Sequence, residues 1–307
     1  MKKAAFYTLG CKVNQYETEA MAELFADSGY EIKEFTEVAD VYVINTCSVT
    51  NMGDRKSRQI IRRAKKLNPN AVIAVTGCYA QTAPDEVLAI EGVNLVLGTK
   101  DRKNIVTLVE ELNTESNINH VSDIMSNHEF EELQIKQYSN RTRAFIKIQE
   151  GCNQFCSYCI IPYARGPVRS RAKDDVVREI KELAHNGFKE IILVGIHVAS
   201  YGVDLGNTTL ESLIMDVDKI DGVERIRLSS IEPMTLNQEF IDSIKDSKKL
   251  CHHFHISLQS GCDETLKRMN RKYTTAQFKG IVDGLREAFN DVAITTDIMV
   301  GFPDESD

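Results

Sequence analysis

Two series of short apolar runs, separated by stretches of helical periodicity, constrain the fold of this chain most strongly. The first series comprises residues 4–9, 41–45, 71–76 and 95–97. The second comprises residues 144–149, 190–194, 225–228, 254–257 and 293–300. Strands that alternate with helices form parallel sheets with helical crossovers. The sequence therefore predicts an α/β protein with two parallel sheets, the first of them Rossmann-like.

The length of 307 residues exceeds that of a single core, which predicts more than one domain. Residues 1–112 form the predicted N-terminal domain and residues 141–307 the second. Between them, residues 113–140 are acidic, contain few large apolar side chains and predict a linker. The second series stops directly after a strand, so the second domain is predicted to be incomplete at its C-terminal end.

Composition excludes several classes of protein. Hydrophobic residues make up 42% of the chain and charged residues 27%, and no apolar run is long enough to span a bilayer. The N-terminus lacks a secretory signal, which predicts a cytoplasmic protein without a membrane partner. The net charge of -8 argues against nucleic acid, but most of the excess lies in the acidic stretch 110–134. Local basic surfaces are therefore compatible with the composition.

Three cysteines, Cys152, Cys156 and Cys159, follow the first strand of the second series at close spacing. Thiolates grouped on one loop indicate a soft metal. Zinc is one alternative, although a structural zinc site normally has four ligands. An iron–sulfur cluster is the other, since three cysteines leave one iron of four without a protein ligand.

A second triplet, Cys11, Cys47 and Cys78, lies just past the ends of three strands of the first series. The carboxyl ends of parallel strands share one edge of a sheet, so these thiols are expected to lie together. Taken singly, each could be a small buried hydrophobic side chain. The latter interpretation is preferred for Cys251 and Cys262, which we expect to be ordinary thiols.

Several short motifs resemble those of the radical S-adenosylmethionine (SAM) methylthiotransferases, and the resemblance covers nearly the whole chain. The Cys-x3-Cys-x2-Cys loop resembles the superfamily signature, with Tyr158 where the family has an aromatic residue beside the adenine. The other motifs are NTCSVT at 45–50, TGCYAQ at 76–81, QEGC at 149–152, HISLQSG at 255–261 and DIMVGFP at 297–303. The stretches 51–58 and 195–197 most resemble the branch that modifies N6-threonylcarbamoyladenosine at tRNA position 37.

The resemblance implies a partial (βα)6 radical SAM barrel over residues 141–307. It also implies two [4Fe–4S] clusters. Cys152, Cys156 and Cys159 would hold the one that binds SAM and cleaves it reductively. Cys11, Cys47 and Cys78 would hold an auxiliary cluster whose sulfur is methylated and delivered to C2 of the adenine. The implied partners are a tRNA and an electron donor protein, and the family carries a further RNA-binding barrel beyond the radical domain.

The resemblance also suggests residues around these clusters. Candidate cofactor contacts, each also explicable as a turn or cap residue, are Tyr158, Gly195, Glu232, Gln259 and Ser260. His197 is expected to line the substrate cavity or to satisfy a loop hydrogen bond. Arg165, Arg169 and Arg171 are expected to contact RNA, and the basic helical stretch 55–66 is either an RNA contact or a solvated face.

Three other functions remain open at this point. The same chemistry could act on N6-isopentenyladenosine of tRNA or on an aspartate of a ribosomal protein. The chain could also be a non-catalytic iron–sulfur or zinc protein.

Overall fold

The computed structural model describes residues 1–112, 116–135 and 142–305. They form two compact units, one comprising Met1–Lys136 with Ile160–Pro167 and the other Gln137–Cys159 with Val168–Asp307. The first unit therefore extends beyond the predicted boundary at residue 112 and takes in a short segment of the predicted second domain. Among the described residues, no helix is both long and apolar enough to cross a membrane.

The first unit is built on a six-stranded sheet in which every pairing is parallel. Its strands are β1 (Lys3–Thr8), β2 (Glu31–Lys33), β3 (Val41–Thr46), β4 (Val72–Gly77), β5 (Leu95–Leu97) and β6 (Ile118–His120), in the order β2-β1-β3-β4-β5-β6. All residues of β3 are buried, as expected for a strand covered on both faces. The predicted Rossmann-like parallel sheet is confirmed.

Helices cover both faces of this sheet. They are α1 (Lys12–Asp27), α2 (Asn51–Leu67), α3 (Cys78–Thr82), α4 (Pro84–Leu88), α5 (Ile105–Glu110) and, from the inserted segment, α6 (Ile161–Arg165). Successive strand residues point to opposite faces, and the core divides accordingly. Ile44 shares one apolar cluster with Ile61 of α2, whereas Val43 shares another with Phe25 of α1.

The predicted linker needs correction for its described residues, 116–135. Strand β6 extends the first sheet by pairing with β5, and Leu133 and Ile135 are buried. The carboxylate of Glu131 accepts a hydrogen bond from Arg102 Nε at 2.8 Å. The segment is held by backbone pairing and ion pairs rather than by a large apolar face, which is why its composition resembles that of a linker.

The second unit carries a curled, mostly parallel sheet. Its strands are β7 (Arg143–Glu150), β8 (Arg169–Ser170), β9 (Glu190–Gly195), β10 (Arg225–Leu228), β11 (His253–His255) and β12 (Ala293–Thr295). Strands β7, β9 and β10 pair in parallel, and β11 pairs in parallel with β12. Single parallel bridges, Ile226 to Leu250 and Ile231 to Ile256, connect β10 to the chain around β11. The run β7-β9-β10-β11-β12 forms the predicted partial barrel.

One strand departs from the prediction of a wholly parallel sheet, because β8 pairs antiparallel with β7. Two residues are too few to show a periodic pattern in the sequence. The helices of this unit are α7 (Lys173–His185), α8 (Leu210–Asp218), α9 (Gln238–Ile244), α10 (Asp263–Arg268) and α11 (Thr275–Ala288). They alternate with the strands as predicted.

Candidate functional site

The structure places Cys11, Cys47 and Cys78 at the carboxyl ends of three neighbouring strands. Cys11 directly precedes α1, Cys47 directly follows β3, and Cys78 is the first residue of α3, after β4. Strands β1, β3 and β4 are adjacent in the sheet. The parallel topology therefore brings the three thiols to one edge, where ligand sites of such sheets are found.

The three thiols influence one another electrostatically. The pKa of Cys78 is raised to about 11, chiefly by burial. The charges of Cys11 and Cys47 add to the rise, whereas the charge of Arg165 opposes it. Gly10 permits this grouping, since a Cβ at that position would lie 2.9 Å from Cys47 Cβ and 3.1 Å from its Sγ. Its φ of +107° also favours glycine.

Arg165 lies beside this triplet, although the sequence predicted that it would contact RNA. Its side chain is fully buried, and the residue belongs to the first unit. Its Nε donates to the Sγ of Cys78 at 3.3 Å, its Nη1 to Glu17 at 2.6 Å and its Nη2 to Asn14 Oδ1 at 2.5 Å. A guanidinium held in this way cannot reach an RNA phosphate.

Glu17 is the centre of a buried network of ion pairs that includes Arg165. Its side chain is fully buried and pairs with Arg165 and, at 2.5 Å, with Arg102. Arg102 in turn pairs with Glu131. Two arginines and two carboxylates thus balance one another out of solvent, as buried charges must.

The second triplet lies on the loop after β7, and all three thiols are partly exposed. The loop is fixed by the residues that end α10. The Ser157 backbone N–H donates to the Met269 carbonyl at 3.1 Å, and Asn270 Nδ2 donates to the Phe155 carbonyl at 2.8 Å. Burial chiefly raises the pKa of Cys152 to about 11, and the charges of Cys159 and Cys156 add to it, so these thiols are also near one another.

Gln149 orients the start of this loop and was not predicted from the sequence. Its buried Nε2 donates to the carbonyls of Glu150 and Gly151, each at 2.7 Å, while its Oε1 accepts from the His197 backbone N–H at 2.7 Å. It therefore joins the end of β7 to the end of β9. A Cβ at Gly195 would lie 2.9 Å from Gln149 Oε1, so the glycine permits this close approach.

Arg271 is a further functional candidate that the sequence did not indicate. Its Nη1 donates to the Sγ of Cys156 at 3.3 Å and its Nε to the Tyr273 hydroxyl at 3.0 Å. Burial raises the pKa of Glu232 and the charge of Arg271 opposes that rise. Burial lowers the pKa of His197 and the same charge adds to the lowering. The only sequence signal was a basic residue shortly after the motif at 255–261.

The five predicted cofactor contacts all lie in the second unit. Tyr158 is partly exposed and packs edge-on against Phe302, with ring centroids 6.1 Å apart. Glu232 accepts from the Met234 backbone N–H at 3.0 Å, and the Ser260 hydroxyl accepts from the Cys262 backbone N–H at 3.2 Å, so both cap turns. Gln259 adopts a left-handed φ of +68° and pairs through its backbone with Asp297 and Met299.

His197 is held by the loop and is largely buried. Its Nδ1 lies 2.7 Å from the Ser200 hydroxyl, and its Nε2 has no hydrogen-bond partner within the described residues. Burial, assisted by the charge of Arg271, lowers its pKa to about 4. The imidazole is therefore neutral near pH 7.

Arg169 and Arg171, also predicted to contact RNA, need the same correction as Arg165. Both are at most 1% exposed, and Arg171 donates to Glu179 of α7. They lie in a stretch rich in basic residues, 165–173, and the sequence alone cannot distinguish a basic surface from buried ion pairs.

The donor sets fit iron–sulfur clusters. In each triplet the thiols lie near enough to affect one another electrostatically. In each, an arginine N–H also donates to one sulfur, a contact that stabilises cluster ligands. Within the described residues, no three Cys, His, Asp or Glu side chains converge on the position of a single metal ion. Cluster thiolates each bind their own iron and need not converge on one point.

Two family models match the chain, one in its N-terminal part and one in its C-terminal part. Residues 3–98 match the model described as Uncharacterized protein family UPF0004, and residues 146–307 match the model of the Radical SAM superfamily. A solved radical SAM methyltransferase from Kitasatospora setae has a similar fold, with a TM-score of 0.69 at 15% identity over 100% of this chain and 69% of that one. These comparisons and the partial barrel define a radical SAM enzyme.

Two relatives narrow this class. A threonylcarbamoyladenosine tRNA methylthiotransferase from Bacillus subtilis is 49% identical over 100% of this chain and 68% of its own length. A tRNA-2-methylthio-N(6)-dimethylallyladenosine synthase from Thermoanaerobacter pseudethanolicus is 39% identical over 98% of this chain and 65% of its own. The chain belongs to the radical SAM methylthiotransferase family.

Proposed function

We propose that this enzyme adds a methylthio group to C2 of N6-threonylcarbamoyladenosine at position 37 of tRNA. One observation carries the proposal: each unit groups three thiols beside an arginine that donates to one of the sulfurs. The threonylcarbamoyladenosine specificity is supported by the name of the Bacillus subtilis relative, at 49% identity.

In this proposal Cys152, Cys156 and Cys159 hold one [4Fe–4S] cluster, and Cys11, Cys47 and Cys78 hold the other. When bound, the clusters and SAM supply the one-electron and sulfur chemistry for substituting an unactivated aromatic C–H, which acid–base side chains cannot supply. Arg271 stabilises the Cys156 thiolate through its charge and hydrogen bond.

The candidate SAM contacts and the second triplet all lie in the second unit. Gln149 sets the position of the Cys152 loop relative to Gly195, and Gly195 leaves room for a close ligand approach. Tyr158 and Phe302 present an aromatic pair suited to exclude water from an adenine. Glu232, Gln259 and Ser260 complete the proposed set, with their backbone geometry fixed by caps and pairing.

His197 is the proposed substrate-side residue. Because Ser200 occupies Nδ1 and burial keeps the ring neutral near pH 7, its Nε2 can make one neutral hydrogen bond to a base without adding charge. A neutral partner suits an adenine ring better than a phosphate. With Arg165, Arg169 and Arg171 buried, phosphate contacts must come from elsewhere.

We assign those phosphate contacts to the exposed basic face of α2. Its exposed members are Arg55, Lys56, Arg62, Arg63 and Lys66. The helix begins at a Thr50 cap and packs its apolar face, including Ile61, against the sheet. Charges on the outer face of an anchored helix are suited to position a polyanion.

Replacing Arg55 and Arg62 together by alanine should weaken tRNA binding and reduce the slope of log affinity against log salt by about 1 for each lost phosphate contact. Filter binding across a salt series measures this. Lys248→Ala, an exposed lysine in the second unit, is the matched control. An unchanged slope in the double variant would show that α2 does not contact the RNA phosphates.

The proposed substrate is tested by the nucleosides of tRNA from cells with and without the gene. Loss of 2-methylthio-N6-threonylcarbamoyladenosine, restored by the gene, is the expected result in mass spectrometry. Loss of the isopentenyl analogue instead would assign the enzyme to the specificity named for the relative from Thermoanaerobacter pseudethanolicus. An unchanged tRNA profile would contradict the proposal and direct the search to ribosomal protein.

A further inference from the structure

Arg165 occupies an unusual position for a buried arginine. It ends α6, in the segment that the chain forms directly after Cys159, yet it belongs to the first unit. The Thr99 hydroxyl donates to the Ala164 carbonyl at 2.7 Å and anchors the segment there. Its side chain is completely shielded from solvent, so all of its hydrogen-bonding capacity is directed to protein groups.

The guanidinium of Arg165 donates hydrogen bonds from all three of its nitrogens. Nε donates to Cys78 Sγ at 3.3 Å, Nη1 to Glu17 at 2.6 Å, and Nη2 to Asn14 Oδ1 at 2.5 Å and to Glu17 at 3.1 Å. The planar guanidinium carries donors on three nitrogens and can bind these three residues at once. The single ammonium of a lysine could not reach all of them.

Asn14 extends these contacts to the other two cysteines. Its Nδ2 donates to the Leu9 carbonyl at 2.8 Å, next to the Cys11 turn, and to the Thr46 carbonyl at 2.9 Å, directly before Cys47. The Cys11 thiol lies 3.6 Å from its Oδ1, the same oxygen that Arg165 binds. All three cysteine loops are thus connected to Arg165 through at most one side chain.

The charges around Arg165 explain why a cation is needed there. Three thiolates at one sheet edge repel one another, and Cys78 is the most buried of them. Glu17 offsets part of the charge of the two arginines, and the Nε–H of Arg165 donates to the Cys78 sulfur in addition to that pairing. Hydrogen bonds to cluster sulfur atoms and nearby positive charge raise a cluster's reduction potential.

Resting on the proposed function, we propose that Arg165 is a positioning residue of the auxiliary cluster: it holds Cys78 and, through Asn14, the Cys11 and Cys47 loops, and it raises the cluster's reduction potential.

The test uses the full chain with Cys152, Cys156 and Cys159 replaced by alanine, so that only the auxiliary cluster is loaded. A dithionite titration followed by electron paramagnetic resonance measures its potential. Arg165→Gln should lower the reduced-to-oxidised ratio at a fixed potential roughly tenfold, which is a shift of about 59 mV for one electron. Arg165→Lys, which keeps the charge but not the fork, should give a smaller shift in the same direction.

Arg171→Gln is the matched control, because it removes a buried, ion-paired arginine from the second unit. It should destabilise the protein without moving the potential. If Arg165→Gln fails to fold, a double variant is used instead. It combines Arg165→Gln with Glu17→Gln and so removes both charges of the pair. Equal iron content and an unchanged potential in the folded Arg165 variants would overturn the inference.

This result is separable from a failure of the proposed function. If the chain with three cysteines replaced binds no iron while Arg165 is intact, the auxiliary cluster itself is absent and the proposed function fails. If iron binds but the reduction potential is the same with and without Arg165, only the assignment of Arg165 fails.

Discussion

Replacement of Cys47 by alanine should abolish methylthio transfer and leave SAM cleavage intact, whereas replacement of Cys156 should abolish both. Cys47 lies in the first unit, where burial and, to a smaller extent, the neighbouring Cys11 thiol raise its pKa. Cys156 lies in the second unit and accepts a hydrogen bond from Arg271. Loss of residues that only support a metal ligand costs about 10–100-fold in activity. Loss of a ligand should exceed this and bring transfer to background.

Three measurements check this expectation on one preparation. Iron content should fall by about half in either variant, 5′-deoxyadenosine formation reports SAM cleavage, and mass spectrometry reports the thiolated nucleoside. Cys251→Ala is the control, since it removes a half-buried thiol that belongs to neither triplet. Retained thiolation in the Cys47 variant would contradict the division of roles between the units.

The grouping of each triplet could be predicted because it depends on local patterns. Cys47 and Cys78 directly follow strands whose buried runs are visible in the sequence. Once those strands are known to be parallel, their carboxyl ends must share an edge. Cys152, Cys156 and Cys159 are close in the chain itself, so their grouping required no knowledge of the fold.

The supporting residues could not be predicted because their contacts are distant in sequence. Arg165 meets Cys78 across 87 residues and Arg271 meets Cys156 across 115. A charged side chain carries no periodic signal that distinguishes a buried partner from solvent. For the same reason, the basic stretch around Arg165 predicted an RNA surface, and the acidic stretch containing Glu131 predicted a linker.

Replacing Glu17 by glutamine should destabilise the first unit by about 3–5 kcal/mol, the usual cost of removing one partner of a buried ion pair. Glu17 is fully buried and pairs with both Arg165 and Arg102, so its loss leaves two guanidinium charges with fewer carboxylates out of solvent. Domains are stable by only about 5–15 kcal/mol, so this is a large part of the total. Urea unfolding of the metal-free protein, followed by circular dichroism, measures it.

The control and the double variant identify the cause of this loss. Glu224→Ala breaks the exposed pair with Lys189 and should change the unfolding midpoint little, because surface pairs contribute little. Adding Arg165→Gln to Glu17→Gln should recover part of the lost stability, since it removes one of the uncompensated charges. If the two losses simply add, Glu17 stabilises the unit by packing rather than by balancing Arg165, and the cation beside Cys78 would not depend on it.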